Sequence, residues 1–481
     1  MCIRDRYGGA QGFNSSPGIF SVLWPNRISK YFGALALVIP VGIYIYYVYI
    51  EAWCLAYAWD YASGRLMTYG RDVAGYKSHF ERFVGMEANG FLLHGNVQES
   101  LIFLVIVFVV NFILIYRGLA KGIETFCTFA MPLLLLVGLV LLVRVLTLGA
   151  PQPPPPGENI GKALGFMWNP RGEGGDPWKA LTNPELWLAA AGQIFFSLSV
   201  GFGIILNYAS YLRSDDDVAL SGLTASSMNE FCEVCLGGLI TVPVAFLFLG
   251  AADLNKDVLG TPLSLGFMAL PAVFARMPAG QFFGALWFFM LFLAAITSSL
   301  SMLQPAIAFL EEGLGMGRRL SVVCLGLITA IGGLLVVYFS KGLIGLDTMD
   351  FWVGTVFIFV LATVQVILVG WVFGIDRARE ELRRGAQLEV PGIFWWIVKY
   401  VSPVYLLAIF SLWCYRNIPA KYREVRNMES EDRATVILML ALIVLLMLFF
   451  GLLVNLAAKR WARLGRLPRP AIRERSEQNR T

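Results

Sequence analysis

The stretch Gln193–Gly203 reads QIFFSLSVGFG, and it lies inside the longer apolar run WLAAAGQIFFSLSVGFGIILNYASYL. A run of about 20 apolar residues is long enough to cross a bilayer as a helix. Here two hydroxyl groups, on Ser197 and Ser199, and two glycines, Gly201 and Gly203, fall near the middle of the run. The hydroxyls could bond to carbonyls of the preceding turn while the glycines allow close helix packing. Alternatively, the helix is interrupted there, and its free backbone groups face a ligand in a protected cavity.

The composition indicates a protein built for lipid. Of its 481 residues, 57% are hydrophobic and 15% are charged, whereas about a quarter of the residues of soluble domains are charged. The formal net charge is only +5, and no basic stripe is interleaved with aromatic residues as nucleic-acid binding requires. We therefore predict an all-α polytopic membrane protein whose partners include the lipid bilayer and exclude nucleic acid.

The cysteines and histidines give little support to a metal centre or an enzyme. The seven cysteines fall mostly within apolar segments and lack metal-ligand spacing, which is typical of small buried residues. The only two histidines, His79 and His94, lie in a polar segment, residues 60–98, that we interpret as a loop. The sequence shows neither a nucleophile–base pair nor a metal-binding motif, so we expect no enzymatic activity and no organic cofactor.

Ten apolar segments are long enough to cross a membrane. Several of them exceed the bilayer thickness, so we expect tilted, kinked or broken helices. The segments are approximately residues 33–59, 99–116, 125–148, 184–212, 222–249, 281–310, 320–340, 350–374, 393–415 and 434–457. The stretch 250–280 is too interrupted by proline to cross, and we interpret it as a re-entrant hairpin that covers one face.

The ends of the chain and its basic loops determine the predicted orientation. Residues 1–6, MCIRDR, resemble a translated sequencing adapter and are interpreted as an assembly scar. We interpret residues 7–458 as the transmembrane domain and residues 459–481 as a basic tail. An even number of spans places both ends on one side of the membrane. The tail and the basic loop 375–384 lie on that side, which the positive-inside rule assigns to the cytoplasm.

Three further polar clusters lie within apolar segments. The first, IYIYYVYIE, ends on Glu51, an ionisable residue whose depth in the span favours a functional role over an interface anchor. The second, SSMNEFCEVCLGG, places Asn229 and Glu233 four residues apart and so on one helix face. The third, AAITSSLSMLQP at 294–305, carries four hydroxyls, which are oxygen donors suited to alkali cations. For any single hydroxyl, bonding to a carbonyl of its own helix remains the alternative.

Taken together, these segments resemble the neurotransmitter:sodium symporter family, in particular its prokaryotic amino-acid transporters. The matching motifs extend over nearly the whole chain and include RYGGAQGF, IYYVYIE, GQIFFSLSVGFG, SGLTASSMNE, ITSS followed by MLQP, and MDFWVGT. The resemblance implies the LeuT-type inverted-repeat fold of twelve helices, of which this chain would hold helices 3–12. It also implies a multi-pass protein of the bacterial inner membrane.

The resemblance further implies roles for individual residues. Tyr47 resembles the tyrosine that bonds the substrate carboxylate, and together with Phe202 it would cover the substrate. The other residues implied to line the substrate pocket are Ile43, Phe196, Ser199, Ser298 and Met302. The implied ligands of two co-transported sodium ions are Ser197 and Asn229 for the first, and Ala294 (through its carbonyl), Thr297 and Ser298 for the second.

Acidic residues at three places bear on ion coupling and gating. Where chloride-dependent family members carry a neutral serine, this chain has Glu233, and we expect Gln193 to be its neighbour. A fixed negative charge beside a buried cation offsets the cost of burying that cation, so we expect transport without chloride. Asp350 resembles the acid of the extracellular gate, and Glu312, with Tyr211 nearby, stands in place of the cytoplasmic gate acid.

The expected function is sodium-coupled symport of a neutral amino acid into the cell by alternating access. The implied pocket residues Ile43 and Met302 are bulky and uncharged, which favours an aliphatic substrate and leaves an aromatic one open. The resemblance gives helix one part of both sodium sites, and this sequence contains neither helix one nor helix two, so we expect the 481-residue chain by itself to be inactive. The alternatives are a sensor that binds amino acid without transporting it and a cation channel, although a channel would need a continuous polar pore.

Overall fold

The chain is described by a computed structural model that covers residues 8–70, 72–93, 96–148, 159–168, 177–213, 215–249 and 263–466. The predicted scar at 1–6, His94 and the end of the basic tail lie outside the described residues. Within these ranges the chain is almost entirely helical, apart from one short two-stranded hairpin.

The first half of the chain contains short connecting helices and the first membrane-length helices. In chain order they are α1 (Ser16–Leu23), α2 (Ser29–Ala62), α3 (Val73–Phe83), α4 (Glu99–Arg117), α5 (Thr125–Leu146), α6 (Ile160–Trp168), α7 (Pro177–Leu181), α8 (Pro184–Ser197) and α9 (Ile204–Ala209). The antiparallel strands β1 (Leu92–Leu93) and β2 (Asn96–Val97) precede α4. A π-helical turn over Leu119–Glu124 leads directly into α5.

The second half contains the remaining membrane-length helices. They are α10 (Val218–Glu230), α11 (Leu239–Leu249), α12 (Leu270–Arg276), α13 (Gly280–Met302), α14 (Gln304–Leu314), α15 (Arg318–Tyr338), α16 (Ile344–Met349), α17 (Ile358–Ile367), α18 (Ile375–Arg383), α19 (Gly392–Trp396), α20 (Ser402–Asn427) and α21 (Ser430–Arg463). Several neighbouring helices are joined without a loop by π-helical turns, namely Phe231–Gly238, Asp350–Phe357, Leu368–Gly374 and Ile397–Val401.

Nine helical segments of the described chain are long and apolar enough to cross a membrane. They coincide with nine of the ten predicted spans, and the tenth span, 184–212, is the broken pair α8 and α9. The predicted span at 350–374 differs most in its limits, since the structure extends it to Lys341–Arg383. The prediction of an all-α polytopic fold is confirmed.

Helix α2 forms the centre of the bundle. Its 34 residues rise about 51 Å at 1.5 Å per residue, which exceeds a hydrocarbon thickness of about 30 Å. It packs against α13, α4, α15 and α21, so it touches both early and late parts of the chain. The ring of Tyr61 stacks on Phe288 of α13 with 5.7 Å between centroids. Gly284 allows this approach, because a Cβ at that position would lie 2.5 Å from the Tyr61 ring.

The stretch 263–280 is the described part of the segment that we interpreted as a re-entrant hairpin. Residues Ser264–Arg276 form an apolar helical segment that is shorter than the membrane-length helices. This segment packs against α3, α11 and α13, and its residues Phe267 and Phe274 are buried. It therefore covers one side of the α2–α13 contact.

The interpretation of residues 60–98 as a polar loop is wrong for its central part. Residues Val73–Phe83 form α3, and His79 on this helix is only 8% exposed. Tyr76, Phe80 and Phe83 recur at helical spacing and form one buried apolar face. The His79 ring joins that face and stacks on Phe83 with 6.2 Å between centroids.

Candidate functional site

The motif QIFFSLSVGFG forms a break in a membrane helix. Helix α8 ends at Ser197 and α9 begins at Ile204. Between them Ser199, Gly201 and Gly203 adopt left-handed backbone conformations, with φ values of 52°, 86° and 81°. Such residues end a right-handed helix, and only glycine adopts them at low cost. The helix is therefore interrupted, as the second interpretation requires, while the ligand that the break would face stays a prediction.

The two glycines also serve close packing, which was the other interpretation of the motif. A Cβ at Gly203 would lie 2.2 Å from the carbonyl oxygen of Ala36 on α2. A Cβ at Gly201 would lie 2.7 Å from the carbonyl oxygen of Ile358 on α17. The break is thus held between α2 and α17 by backbone contacts that a larger residue would displace.

The Glu233 carboxylate connects α8 to the helix formed by α10 and its π-helical turn. Gln193 donates a hydrogen bond to one carboxylate oxygen, Oε1. Ser197 donates to the other oxygen, Oε2, at 2.6 Å, and Asn229 Nδ2 lies 3.4 Å from the same oxygen. Asn229 Nδ2 also donates to the Ser197 hydroxyl at 2.5 Å. The structure therefore brings together the residues expected to bind the first sodium and those expected to replace chloride.

The oxygens of the expected second sodium site lie on one face of α13. The Ala294 carbonyl accepts hydrogen bonds from Thr297 Oγ1 at 3.0 Å and from Ser298 Oγ at 3.1 Å. Thr297 Oγ1 also lies 3.0 Å from the Leu293 carbonyl. The hydroxyls thus bond within their own helix. Together with the Ala294 carbonyl they form a group of three neutral oxygens, the kind that alkali cations prefer.

The residues expected to line the substrate pocket lie at the break, on α2 and on α13. Phe196 and Phe202 pack edge to face across it, with 5.3 Å between ring centroids. Tyr47 is half-buried on α2, and its side chain interacts with Ser298. The apolar members Ile43 and Met302 are buried, with 0% and 3% exposure. All of these side chains are uncharged.

The two acids that resemble gate residues lie in different surroundings. The hydroxyl of Tyr46 donates to Asp350 Oδ1 at 2.7 Å. Glu312 Oε2 accepts hydrogen bonds from the backbone N–H groups of Asn14 and Ser15, at 2.8 and 2.7 Å. Because Ser15 is the N-cap residue of α1, the carboxylate satisfies backbone donors where that helix begins.

The expected neighbour of Glu312, Tyr211, is 51% exposed and lies close enough to interact with it electrostatically. A further contact was not expected: Arg460 Nη1 on α21 donates to the backbone carbonyl of Glu312 at 3.1 Å. The ring of Trp461, the next residue, packs edge to face on Phe13 with 5.3 Å between centroids. The surroundings of Glu312 thus combine segments from the beginning, middle and end of the chain.

Sequence reasoning missed two partners of the acids that it named. It singled out Tyr47, whereas the preceding tyrosine, Tyr46, is the one that bonds Asp350. It also named Glu51 without its partner, Asn111, whose Nδ2 lies 3.1 and 3.2 Å from the two carboxyl oxygens. The available signal for Asn111 is an amide within the apolar middle of the 19-residue helix α4.

Comparison with a solved structure identifies the fold. The crystal structure of MhsT in complex with L-phenylalanine matches this fold with a TM-score of 0.69 at 23% sequence identity. The match covers 85% of this chain and 87% of that chain. The fold is therefore the LeuT-type fold, as predicted.

Comparison with protein families and relatives shows the family to which this chain belongs. The model of the sodium:neurotransmitter symporter family matches residues 59–458, and the chain belongs to this family. A sodium-dependent transporter of Haemophilus influenzae is 30% identical over 401 residues, which are 80% of this chain and 79% of the relative. The sodium-dependent nutrient amino acid transporter 1 of Drosophila melanogaster is 28% identical over 69% of this chain and 50% of its own length.

Proposed function

We propose that this protein is a symporter that uses the sodium gradient to carry a neutral amino acid into the cell. The observation that carries the proposal is the broken helix α8–α9, together with the oxygen clusters around Ser197 and Ala294. Hydroxyl, amide and peptide oxygens are hard donors suited to Na⁺. Membership of a sodium symporter family supports the same conclusion.

The substrate is proposed to be a neutral amino acid. The pocket residues around the break are uncharged, so they provide no counter-charge for a basic or acidic side chain. The Tyr47 hydroxyl is the proposed donor to the substrate carboxylate, and Tyr47 with Phe202 is the proposed lid, against which Phe196 packs. Two similar proteins support an amino acid substrate: the Drosophila protein is named a nutrient amino acid transporter, and MhsT was crystallised with L-phenylalanine.

Chloride independence is proposed from the charge of Glu233. Its carboxylate is bonded directly to Ser197, one of the two residues assigned to the first sodium. A negative charge at this distance offsets the positive charge of the ion in a medium of low dielectric constant. No exchangeable anion is then needed for charge balance.

The transport cycle is proposed to follow alternating access around this site. Sodium would favour the conformation open to the outside, and substrate binding would close the Tyr47–Phe202 lid. Asp350 and Glu312 are the proposed gate acids at the two ends of the pathway. Both visible ends of the chain are proposed to lie in the cytoplasm of a bacterial cell, because the tail and the loop 375–384 are basic.

The proposal is tested by uptake of radiolabelled neutral amino acids into proteoliposomes with and without an inward sodium gradient. Two proteins are compared, the 481-residue chain and the product of its genomic reading frame extended upstream. We expect sodium-driven uptake by the extended product and none by the 481-residue chain. Uptake that is indifferent to sodium would refute the proposal. Sodium-dependent binding without uptake or counterflow would instead identify a sensor.

A further inference from the structure

Three fully buried polar side chains connect three membrane helices next to the proposed sodium site. Glu51 on α2, Asn111 on α4 and Ser299 on α13 are each 0% exposed. Asn111 Nδ2 lies 3.1 and 3.2 Å from the two carboxyl oxygens of Glu51. The Ser299 hydroxyl donates to Asn111 Oδ1 at 3.0 Å. Asn111 therefore uses both ends of its amide, one toward α2 and the other toward α13.

Burying these polar groups in a membrane protein costs free energy, which indicates that they have a specific role. A carboxyl group in hydrocarbon is unfavourable, and a buried polar group without partners costs more. The titratable groups that face Glu51 are Tyr44, Tyr47 and Cys54, and no described residue forms an ion pair with it. Buried polar groups of this kind are best attested as devices that select one packing arrangement of helices.

The exposure of two consecutive residues shows how α13 is rotated about its axis. Ser298 is exposed, whereas Ser299 is buried against α2 and α4. Consecutive residues of a helix point about 100° apart, because 3.6 residues make one turn. The anchor at Ser299 therefore determines the direction in which Thr297 and Ser298 point.

We propose that Glu51, Asn111 and Ser299 form a clamp that fixes the rotation of α13 about its axis and so positions Thr297 and Ser298 to bind sodium. The three members are positioning residues, since none of them belongs to the proposed sodium site. The inference rests on the proposed function for the identity of the ion, and the clamp itself rests on the contacts above.

A small rotation is sufficient for this effect. Turning a helix by about 10° moves an atom about 5 Å from the axis by about 0.9 Å, whereas binding sites tolerate about 0.5 Å. The Ser299 hydroxyl also lies 3.1 Å from the carbonyl of Ile296 on its own helix. Its single proton can satisfy either acceptor, and only the acceptor on Asn111 lies on another helix.

The first experiment titrates sodium-dependent binding of a labelled amino acid to the extended protein and compares four variants. Glu51→Leu and Asn111→Leu should raise the half-saturating sodium concentration about tenfold or more, as loss of groups that orient metal ligands does. The maximal binding should stay close to the wild-type value. Glu51→Gln should restore wild-type sodium affinity, because its amide oxygen still accepts from Asn111. Thr329→Val is the matched control, since this buried hydroxyl bonds only to its own helix.

The second experiment is independent of sodium and uses the 481-residue chain. A cysteine at position 298, in a background without other cysteines, is labelled with a thiol reagent, since thiol reactivity follows exposure. Asn111→Leu should change the labelling rate, and Thr329→Val should leave it unchanged. Equal sodium affinity and equal labelling in the leucine variants would overturn the clamp. A wild-type protein without any sodium response would refute the proposed function, and the labelling result would still decide on the clamp.

Discussion

The Glu233 carboxylate is surrounded by the neutral donors Gln193, Ser197 and Asn229. It forms no ion pair with any residue in the described part of the chain. Its negative charge is therefore available to balance a cation beside Ser197. In this respect Glu233 differs from a structural acid, which usually pairs with arginine or lysine when it is buried.

Replacing Glu233 by serine should make transport depend on chloride. The smaller neutral side chain removes the fixed charge and opens space beside Ser197 and Asn229. We expect wild-type uptake to be equal in chloride and gluconate media. Uptake by the Glu233→Ser variant should fall about tenfold or more in gluconate, which corresponds to about 1.4 kcal/mol, and chloride should restore it.

The matched control for this change is Glu230→Ser, an exposed acid one residue beyond Asn229 on the same helix. This variant should remain indifferent to chloride. Chloride stimulation of the wild type, or a Glu233→Ser variant that works equally in both media, would contradict the assigned role.

His79 makes the stability of the protein depend on pH. Burial and the Arg65 guanidinium lower the pKa of His79 from 6.5 to about 4. Its ring nitrogen Nε2 lies 3.8 Å from Asp60, whose carboxylate is also bonded to Arg65 at 3.1 Å. The folded protein therefore keeps the imidazole neutral in a pH range where the unfolded chain would protonate it.

The contribution of His79 to the melting temperature should consequently fall as the pH is lowered from 6.5 toward 4. Between these values the imidazole of the unfolded chain binds more protons than that of the folded one, so this contribution rises with pH and is complete above 6.5. The shift of about 2.5 units, from 6.5 to about 4, corresponds to at most about 3 kcal/mol. His79→Gln should show a flatter melting curve against pH, whereas parallel curves for the two proteins would contradict the assignment.

At the scale of elements, the break between α8 and α9 depends on glycine for two reasons. Gly203 has a φ of 81°, and its missing side chain allows contact with the Ala36 carbonyl of α2. A side chain at this position would be strained by the left-handed backbone conformation and would also clash with the Ala36 carbonyl. The break is therefore a rigid feature held by packing.

Gly203→Ala should lower the free energy of unfolding by at least about 2 kcal/mol, the usual cost of a strained left-handed residue combined with a clash. Gly192→Ala is the matched control on α8, because a Cβ there meets nothing within 4 Å. This change should be neutral or slightly stabilising, since alanine favours helices. Thermal unfolding of the 481-residue chain in detergent measures both variants, and equal losses would show that the break does not depend on Gly203.

The sequence predicted elements better than it predicted contacts between them. The ten spans follow from apolar length alone, and the break follows from hydroxyls and glycines in mid-span. By contrast, Asn111 bonds Glu51 across 60 positions and Ser299 across 188, and no local pattern specifies such partners. His79 was misplaced because its helix is short and amphipathic, so its polar face resembles a loop.

For the molecule as a whole, the proposed orientation places α3 outside the cell and the loop after α18 inside. A cysteine at Lys77, an exposed residue of α3, should react with a membrane-impermeant maleimide added to intact cells. A cysteine at Glu389, which is 89% exposed, should react only after the cells are opened. The reverse labelling pattern would show that the proposed orientation is wrong. The control is the protein without cysteines, which should not react under either condition.

The surroundings of Glu312 have a consequence for biosynthesis. The carboxylate contacts Asn14 and Ser15, its backbone is bonded by Arg460, and Trp461 packs on Phe13. A ribosome synthesises the segment around Phe13 first, then Glu312, and Arg460 and Trp461 last of the three. The contacts of Arg460 and Trp461 therefore form only after α21 has left the ribosome and entered the bilayer. Until that moment the Glu312 carbonyl and the Phe13 ring lack these partners.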